Sequence, residues 1–536
     1  MKNTQRISLL LFIGLLFCPH AWSQYREQML SSMSKIGQSI RLIQELYVDS
    51  VDTDKLTEDA IRGMLDKLDP HSVYVNAEEN KDELSALEGK FSGVGIQFNL
   101  LTDTLYVVQV IPGGPSEKAG LMPGDRILAV DGENIAGVKI KNSTVMHKLR
   151  GDKGTLVRLS VLRGKRIQDY VITRGDIPIH SREAAYIIPG TNIGYIRFSR
   201  FSLNTVEEFE EGINKLLSSG MQSLIIDLRY NGGGIMSAAT EMASYFLPVG
   251  SKLLTVKNNR KPFFNEELRV EKRQKINLQR LPLIVLVNEY SASASEIFSG
   301  AIQDWDRGLI IGRRSFGKGL VQRPVPLSDG SSIRITVARY YTPSGRSIQK
   351  PYIKGNAQAY EEDIYARLKH GELMHADSIK FPDSLRYQTL RQNRSVYGGG
   401  GIMPDIFVPL DTTRFNSLEK ELLNTASLIR VIPIYLDTER ANLLKTYPKA
   451  AQFVDNYNLP NTLIDLLKKT AEENGVKWNK QLFAEREKEI TTMLKAYIAR
   501  SIYDEDTFYS LINQQDREYQ EAIRILSAGN NQPSRP

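Results

Sequence analysis

The chain has 536 residues, of which 41% are apolar, 24% charged and 8% aromatic, with a formal net charge of +7. Gly 39 and Pro 22 exclude a collagen-like or long low-complexity chain, and the length implies several globular domains. The positive excess contains no long basic run, which argues against a nucleic-acid binder, and 6 His and 1 Cys, scattered apart, form no zinc-type cluster.

The chain opens with an address. Lys2 and Arg6 precede the apolar run Leu9 to Phe17, and Ala21-Trp22-Ser23 sets small residues at −3 and −1 of a cleavage before Gln24. Residues 1–23 therefore read as a secretory signal peptide. The run is too short for a spanning helix, and bulky Phe17 before Cys18 argues against a lipoprotein signal. Cleavage removes Cys18, so the exported chain carries no disulfide and fits a periplasm, with peripheral membrane association left open.

Residues 24–85 form a helical module. Met29, Met33, Ile36, Ile40, Ile43, Leu46 and Tyr47 recur at steps of three and four, and a second helix over 56–68 ends at Asp69-Pro70. From Phe91 the period changes to two, which predicts strands at 95–99 and 105–110, then turns, short helices and further strands to 173. After Ile177 buried strands alternate with helices: 193–198, 224–228, 283–287 and 309–312, with helices over 204–217, from 236 and over 295–305. That alternation predicts an α/β layer on a mostly parallel sheet. Beyond Asp411 the chain is helical, with one stripe through Ile490, Met493, Leu494, Tyr497 and Ile498 and another through Phe508, Leu511, Ile512, Tyr519, Ile523 and Leu526. The expected division is thus 1–23, 24–85, 86–175, 176–411 and 412–536. The helical termini leave a homo-oligomer open.

Two segments of the α/β region suit chemistry. Asp227-Leu228-Arg229-Tyr230-Asn231-Gly232-Gly233-Gly234 follows a buried strand, and its glycines leave backbone N–H groups uncovered for an anion or oxyanion. No Gly-Lys-Ser/Thr follows, so it is not a P-loop. Asn288-Glu289-Tyr290-Ser291-Ala292-Ser293-Ala294-Ser295-Glu296 is again a strand end, a bend and a helix start, where a serine serves either as nucleophile or as helix cap. A histidine triad fails on inventory: His71, His147, His180, His370 and His375 all lie outside these segments, and no Gly-x-Ser-x-Gly occurs. The nearby base is Lys318, in Ser315-Phe316-Gly317-Lys318-Gly319-Leu320-Val321-Gln322. Burial disfavours an ammonium, and a neutral amine can take a hydroxyl proton.

Two resemblances follow from these blocks. Residues 86–175 resemble a PDZ domain, on Ser92-Gly93-Val94-Gly95-Ile96, "PGGPSEKAGLMPGDRILAVDG" and the later helix. This implies a β-rich domain whose Gly93, Val94, Gly95 and Ile96 amides receive a terminal carboxylate while an edge strand accepts the peptide. Over roughly 40–410 the chain resembles the carboxyl-terminal processing, or tail-specific, proteases, on "YVDSVDTDKLTEDAIRGMLDKLDPHSVYV", "DLRYNGGG", "SASASEIFSGAIQDW", "GRRSFGKGLVQ" and "GGIMPDIFVP". The resemblance implies a crotonase-like, Clp-protease-like α/β core. It makes the middle serine, Ser293, the nucleophile, the lysine 25 positions later, Lys318, the base, and Gln322 the support of that lysine. It implies peptide-bond hydrolysis through an acyl-enzyme, with Ala294 and Gly233 N–H groups binding the oxyanion, exported proteins with free C-termini as substrates, and no metal or organic cofactor. Arg313-Arg314 departs from the family, and two cations there are expected to tune substrate choice or depress the lysine pKa. The alternatives are a catalytically silent PDZ scaffold and an acyl-CoA enzyme on the same core.

Overall fold

The computed structural model describes residues 26–529 apart from 102, 112, 413 and 414; the expected signal peptide lies outside these residues. The chain forms two compact units.

The smaller unit comprises residues up to 77, 323–336 and 352–360. It opens with a helix over 26–46, on which Met29, Met33, Ile36 and Ile43 of the predicted stripe are exposed. The next helix is Thr53–Leu65, beginning at Asp52, whose carboxylate accepts from the amides of Asp54 and Lys55. Val73–Val75 pairs antiparallel with Ser332–Arg334. Asp69, expected only to end a helix, accepts from His71 and Ser72 amides and from the Ser72 and Thr336 hydroxyls.

The larger unit has four hydrophobic clusters in three regions, two of them on opposite faces of one sheet. In the first, strands Ile96–Leu101, Thr104–Val110, Arg126–Val130, Leu156–Arg163 and Arg166–Thr173 form an antiparallel sheet in that order, closed by helices Pro115–Ala119 and Asn142–Leu149. Ile96–Leu101 is an edge strand. A short ladder, Lys90–Gly93 against Gly175–Pro178, closes the base of this domain.

The second core is the expected α/β layer. Its sheet runs Arg182–Ile187, Ile193–Phe198, Ser223–Asp227, Leu283–Val287, Leu309–Gly312, Ile406–Phe407, with the first pair antiparallel and the rest parallel. Side chains alternate between faces. Leu224, Ile226, Val285 and Ile310 pack under helices Thr205–Ser218, Met236–Ser244 and Ala294–Asp304. Tyr195, Ile225, Ile284, Leu286 and Ile311 face the other way and are covered by Tyr519, Ala522 and Ile525 of helix Arg517–Ser527. Runs that are apolar on both faces demand two covers, and the second comes from the end of the chain.

The third core gathers helices between Ser417–Asn424 and Glu505–Ile512, with Ile490, Leu494, Ile498, Phe508 and Leu511 buried in it. The second expected stripe is therefore two helices. A 3₁₀ turn at Asn513–Gln515 and the Asp516 cap separate Phe508 and Leu511 from Tyr519, which packs on the sheet. Within helix Ser427–Thr446, Asp437 meets Arg126 and the Tyr106 hydroxyl of the β-rich domain.

Candidate active site

The two predicted turns lie side by side at the carboxyl ends of neighbouring parallel strands. Their backbones are laced together. Asn288 Oδ1 accepts from the amides of Tyr230 (2.9 Å) and Tyr290 (3.2 Å). Ser291 Oγ donates to the Leu228 carbonyl (2.8 Å), and Ser295 Oγ donates to the Asn231 carbonyl (2.9 Å). Both of these serines are fully buried. The outer two of the triple are thus committed to joining the turns, and Ser293 alone is partly exposed.

Ser293 starts the wholly buried helix Ala294–Asp304 with φ 54° and ψ −111°, a strained conformation for a residue with a Cβ. Tyr230 in the facing turn also has a positive φ, 63°. Gly233, at φ 98°, passes so close that a Cβ there would lie 2.7 Å from the Ser293 Cβ and 2.7 Å from the Ala292 carbonyl oxygen. Only glycine fits. Its N–H, expected to face an oxyanion, instead donates to Asn231 Oδ1 (2.9 Å), because Asn231 closes its own turn two residues on. The Ala294 N–H belongs to the first helical turn, whose amides have no acceptor within the helix.

One residue organises both sides of the site, and the expectations omitted it. Glu296 is fully buried, and its Oε2 accepts from the amides of Ser293 (2.8 Å) and Lys318 (2.9 Å). Its Oε1 accepts from the Ser315 hydroxyl (2.6 Å) and the Gly317 amide (2.7 Å). Burial pushes the Glu296 pKa up, and these four hydrogen bonds oppose the rise without cancelling it. The signal was present in sequence as Ser293-x-x-Glu296, a capping-box pattern. The loop over 315–318 is thereby fastened to the serine turn.

The Lys318 Nζ donates to Gln322 Oε1 (2.9 Å), on the strand Leu320–Pro326. A neutral amide oxygen orients an amine without holding a proton on it as a carboxylate would. Behind the pair, the Tyr340 hydroxyl donates to the Lys318 carbonyl and lies 3.2 Å from that of Ser293. Tyr340 is distant in sequence and no local pattern marks it. A second lysine, Lys350, is buried over the Phe316 ring (4.1 Å) with its ammonium 3.1 Å from Asp363.

Arg313 and Arg314 do not point where the sequence suggested. Arg313 is 3% exposed; its Nε donates to Glu289 Oε2 (2.8 Å) and its Nη1 pairs with Glu518. Arg314 pairs with Glu372 and donates to the Gly400 carbonyl (3.2 Å). Both cations are neutralised by carboxylates of other elements, so neither is free to act on a lysine or a substrate. At the root of the glycine turn, buried Asp227 is held by Arg229 and Arg197. Burial raises its pKa, but Arg229 and Arg197 outweigh that and keep the carboxyl well below its usual range.

In the β-rich domain, the Val94 carbonyl accepts from Ser116 N (2.9 Å) and the Gly95 carbonyl from Ile111 N (3.0 Å). A trans peptide points its N–H opposite its C=O. The Gly95 and Ile96 amides are therefore turned away from those inward bonds, at the start of the edge strand. Gly95 needs its φ of 81°, and a Cβ there would sit 2.9 Å from Ile177. Gly93 ends the basal ladder opposite Gly175 and lies one step outside this loop.

Comparison with known proteins accounts for most of the chain. Sequence profiles match for "Peptidase family S41" at residues 192–359, "PDZ domain" at 92–173, "Activating protease CtpB N-terminal domain" at 19–79, and a family of unknown function at 418–504. The chain is 33% identical over 341 residues to carboxy-terminal processing protease CtpB of Bacillus subtilis, covering 62% of this chain and 69% of that protein. It is 36% identical over 323 residues to a carboxy-terminal-processing protease of Bartonella bacilliformis, covering 59% of this chain and 72% of the relative. Among solved structures, the photosystem II D1 C-terminal processing protease is 30% identical, covering 58% of this chain and 89% of that one at a TM-score of 0.32. With the S41 and PDZ blocks in order along it, the chain belongs to the carboxy-terminal processing proteases and is a serine-type endopeptidase.

Proposed function

We propose that this chain is an exported peptidase that docks the free C-termini of protein substrates on its PDZ domain and cleaves peptide bonds with a Ser293–Lys318 dyad. One observation carries the reading: a single oxygen atom, Glu296 Oε2, receives the amides of both Ser293 and Lys318, so the backbones of nucleophile and base converge on one point.

Neutral Lys318 takes the proton of the Ser293 hydroxyl as Oγ attacks the carbonyl carbon, and Gln322 Oε1 holds the amine in line. The Ala294 N–H binds the developing oxyanion, and Gly233 supplies a second donor when its N–H leaves Asn231. The lysine ammonium then protonates the leaving amine, and water, deprotonated by the same lysine, frees the acyl-serine. A fluorophosphonate tests this directly. It is expected to label wild-type protein at Ser293 and to leave Ser293→Ala unlabelled. Labelling elsewhere, or none on folded protein, rejects the assignment.

Substrate docking has its own test. The Gly95 and Ile96 amides favour a charged carboxylate, and charge-assisted hydrogen bonds contribute about 1.5–3 kcal/mol each. Full-length Ser293→Ala protein should bind an acid-ended peptide at least tenfold more tightly than the matched C-terminal amide. Equal affinities would remove C-terminus reading from the proposal. Export rests on the leader pattern of Lys2, Arg6 and Ala21-Trp22-Ser23, and self-association through the terminal helices is supported by the exposed Met29, Met33, Ile36 and Ile43.

A further inference from the structure

Two carboxylates at the start of the last helix reach the roots of both active-site turns. Asp516 caps helix Arg517–Ser527, accepting from the Tyr519 amide (2.9 Å). Both of its oxygens also accept from Arg229 Nη1, at 2.8 and 2.7 Å. Glu518 lies 3.3 Å from the same Nη1 and pairs with Arg313 Nη1. Beyond each arginine stands a carboxylate of the core. Arg229 grips Asp227 through Nε (3.0 Å) and Nη2 (2.7 Å), and Arg313 grips Glu289 through Nε (2.8 Å). Arg229 immediately precedes Tyr230, whose φ is 63°, and the glycine turn; Glu289 lies within the segment that bends to Ser293, whose φ is 54°. All of these side chains are buried or nearly so.

Strained backbone persists only where its surroundings over-determine it. The two strained turns are bound to each other, and this second set of charge-assisted bonds ties both to one distant element. A guanidinium held on one edge by the core and on the other by the last helix cannot rotate without leaving a buried charge unpaired. Tyr519 adds to the same attachment: it packs edge-on to Tyr195 at 5.3 Å, and the Tyr195 hydroxyl donates to Asp227 (2.7 Å).

We propose that Asp516 and Glu518 are positioning residues for proteolysis, setting the glycine turn through Arg229 and the serine turn through Arg313. The proposal rests on the reading of Ser293 as nucleophile. It also gives the departure Arg313 a purpose, as the joint between the serine turn and the last helix.

The test uses the full chain with Asp516→Ala and Glu518→Ala, and with the isosteric pair Asp516→Asn and Glu518→Gln, at a temperature where circular dichroism shows each folded. Three quantities are read: kcat and KM on a peptide substrate, and the rate at which a small fluorophosphonate modifies the enzyme. A positioning role lowers kcat and the modification rate together, by tenfold or more for alanine, with KM within twofold of wild type. The isosteric variants, which keep an acceptor oxygen, should lose at least threefold and less than alanine. A merely structural role would lower the melting temperature and leave both rates intact. Wild-type rates in folded alanine variants overturn the proposal, and if those do not fold, wild-type rates in the isosteric double variant overturn it equally. Modification of wild type at a residue other than Ser293 rejects the nucleophile instead, while the kcat and KM of the variants still decide the present question.

Discussion

Lys318→Ala should abolish peptide hydrolysis as completely as Ser293→Ala, with the fold retained. Members of one proton-transfer unit are not additive, so losing the base costs as much as losing the nucleophile. The fold should survive because the loop is fastened through its backbone: the Lys318 amide donates to Glu296 and its carbonyl accepts from Tyr340, and neither bond uses the side chain. Lys318→Arg should fail equally, since a guanidinium stays protonated. Gln322→Ala should fall between, losing about 10-fold to 10³-fold in kcat, as when an orienting group is removed and the reacting groups remain. Casein cleavage measured beside circular dichroism decides the matter. Substantial turnover by folded Lys318→Ala or Lys318→Arg would end the dyad.

Gly233→Ala should be nearly as damaging, for a different reason. The added methyl would meet the Ser293 Cβ and the Ala292 carbonyl oxygen at 2.7 Å and the Ala294 nitrogen at 2.9 Å. None of these is the far end of a flexible side chain, so the serine turn itself must move. The φ of 98° adds strain of roughly 1–3 kcal/mol in the folded state. Displacing both the nucleophile and the Ala294 donor should cost kcat about 10²-fold to 10³-fold or more, the range seen when one oxyanion donor is lost. Stability should fall by an amount a thermal melt resolves. A Gly233→Ala enzyme with wild-type kcat would show that the turns need not be packed this closely.

Some of this arrangement was legible in the sequence. The apolar strands announced a covered parallel sheet, and the glycine turn and the serine turn were legible at the carboxyl ends of two of them. What could not be read were partners far apart along the chain. Glu296 was visible as a capping residue, but its bonds to Ser315, Gly317 and Lys318 depend on a loop returning from the next strand. The Gly233 N–H was expected to face an oxyanion, and the acceptor that occupies it, Asn231, becomes apparent only when the turn closes. Arg313 looked like a free cation because Glu518 lies near the other end of the sequence. The stripe through Phe508 and Tyr519 spans two helices, and its apolar spacing gives no sign of the break at Asn513–Gln515.

Because helix Arg517–Ser527 is one cover of the central sheet, the order of synthesis matters to this protein. A ribosome finishes strand Leu309–Gly312 long before it reaches this helix. Until then Ile225, Ile284, Leu286 and Ile311 lack the cover of Tyr519, Ala522 and Ile525, and the emerging chain carries an adhesive apolar surface. Pairing the first part of the sheet with the last helix is also a non-local closure, the slowest kind of step in folding. A chain lacking helix Arg517–Ser527 would keep every motif residue from Asp227 to Gln322 and still lack this cover. Such fragments should collect as insoluble material or be cleared by other proteases. The sheet can therefore close on this side only after helix Arg517–Ser527 has been made.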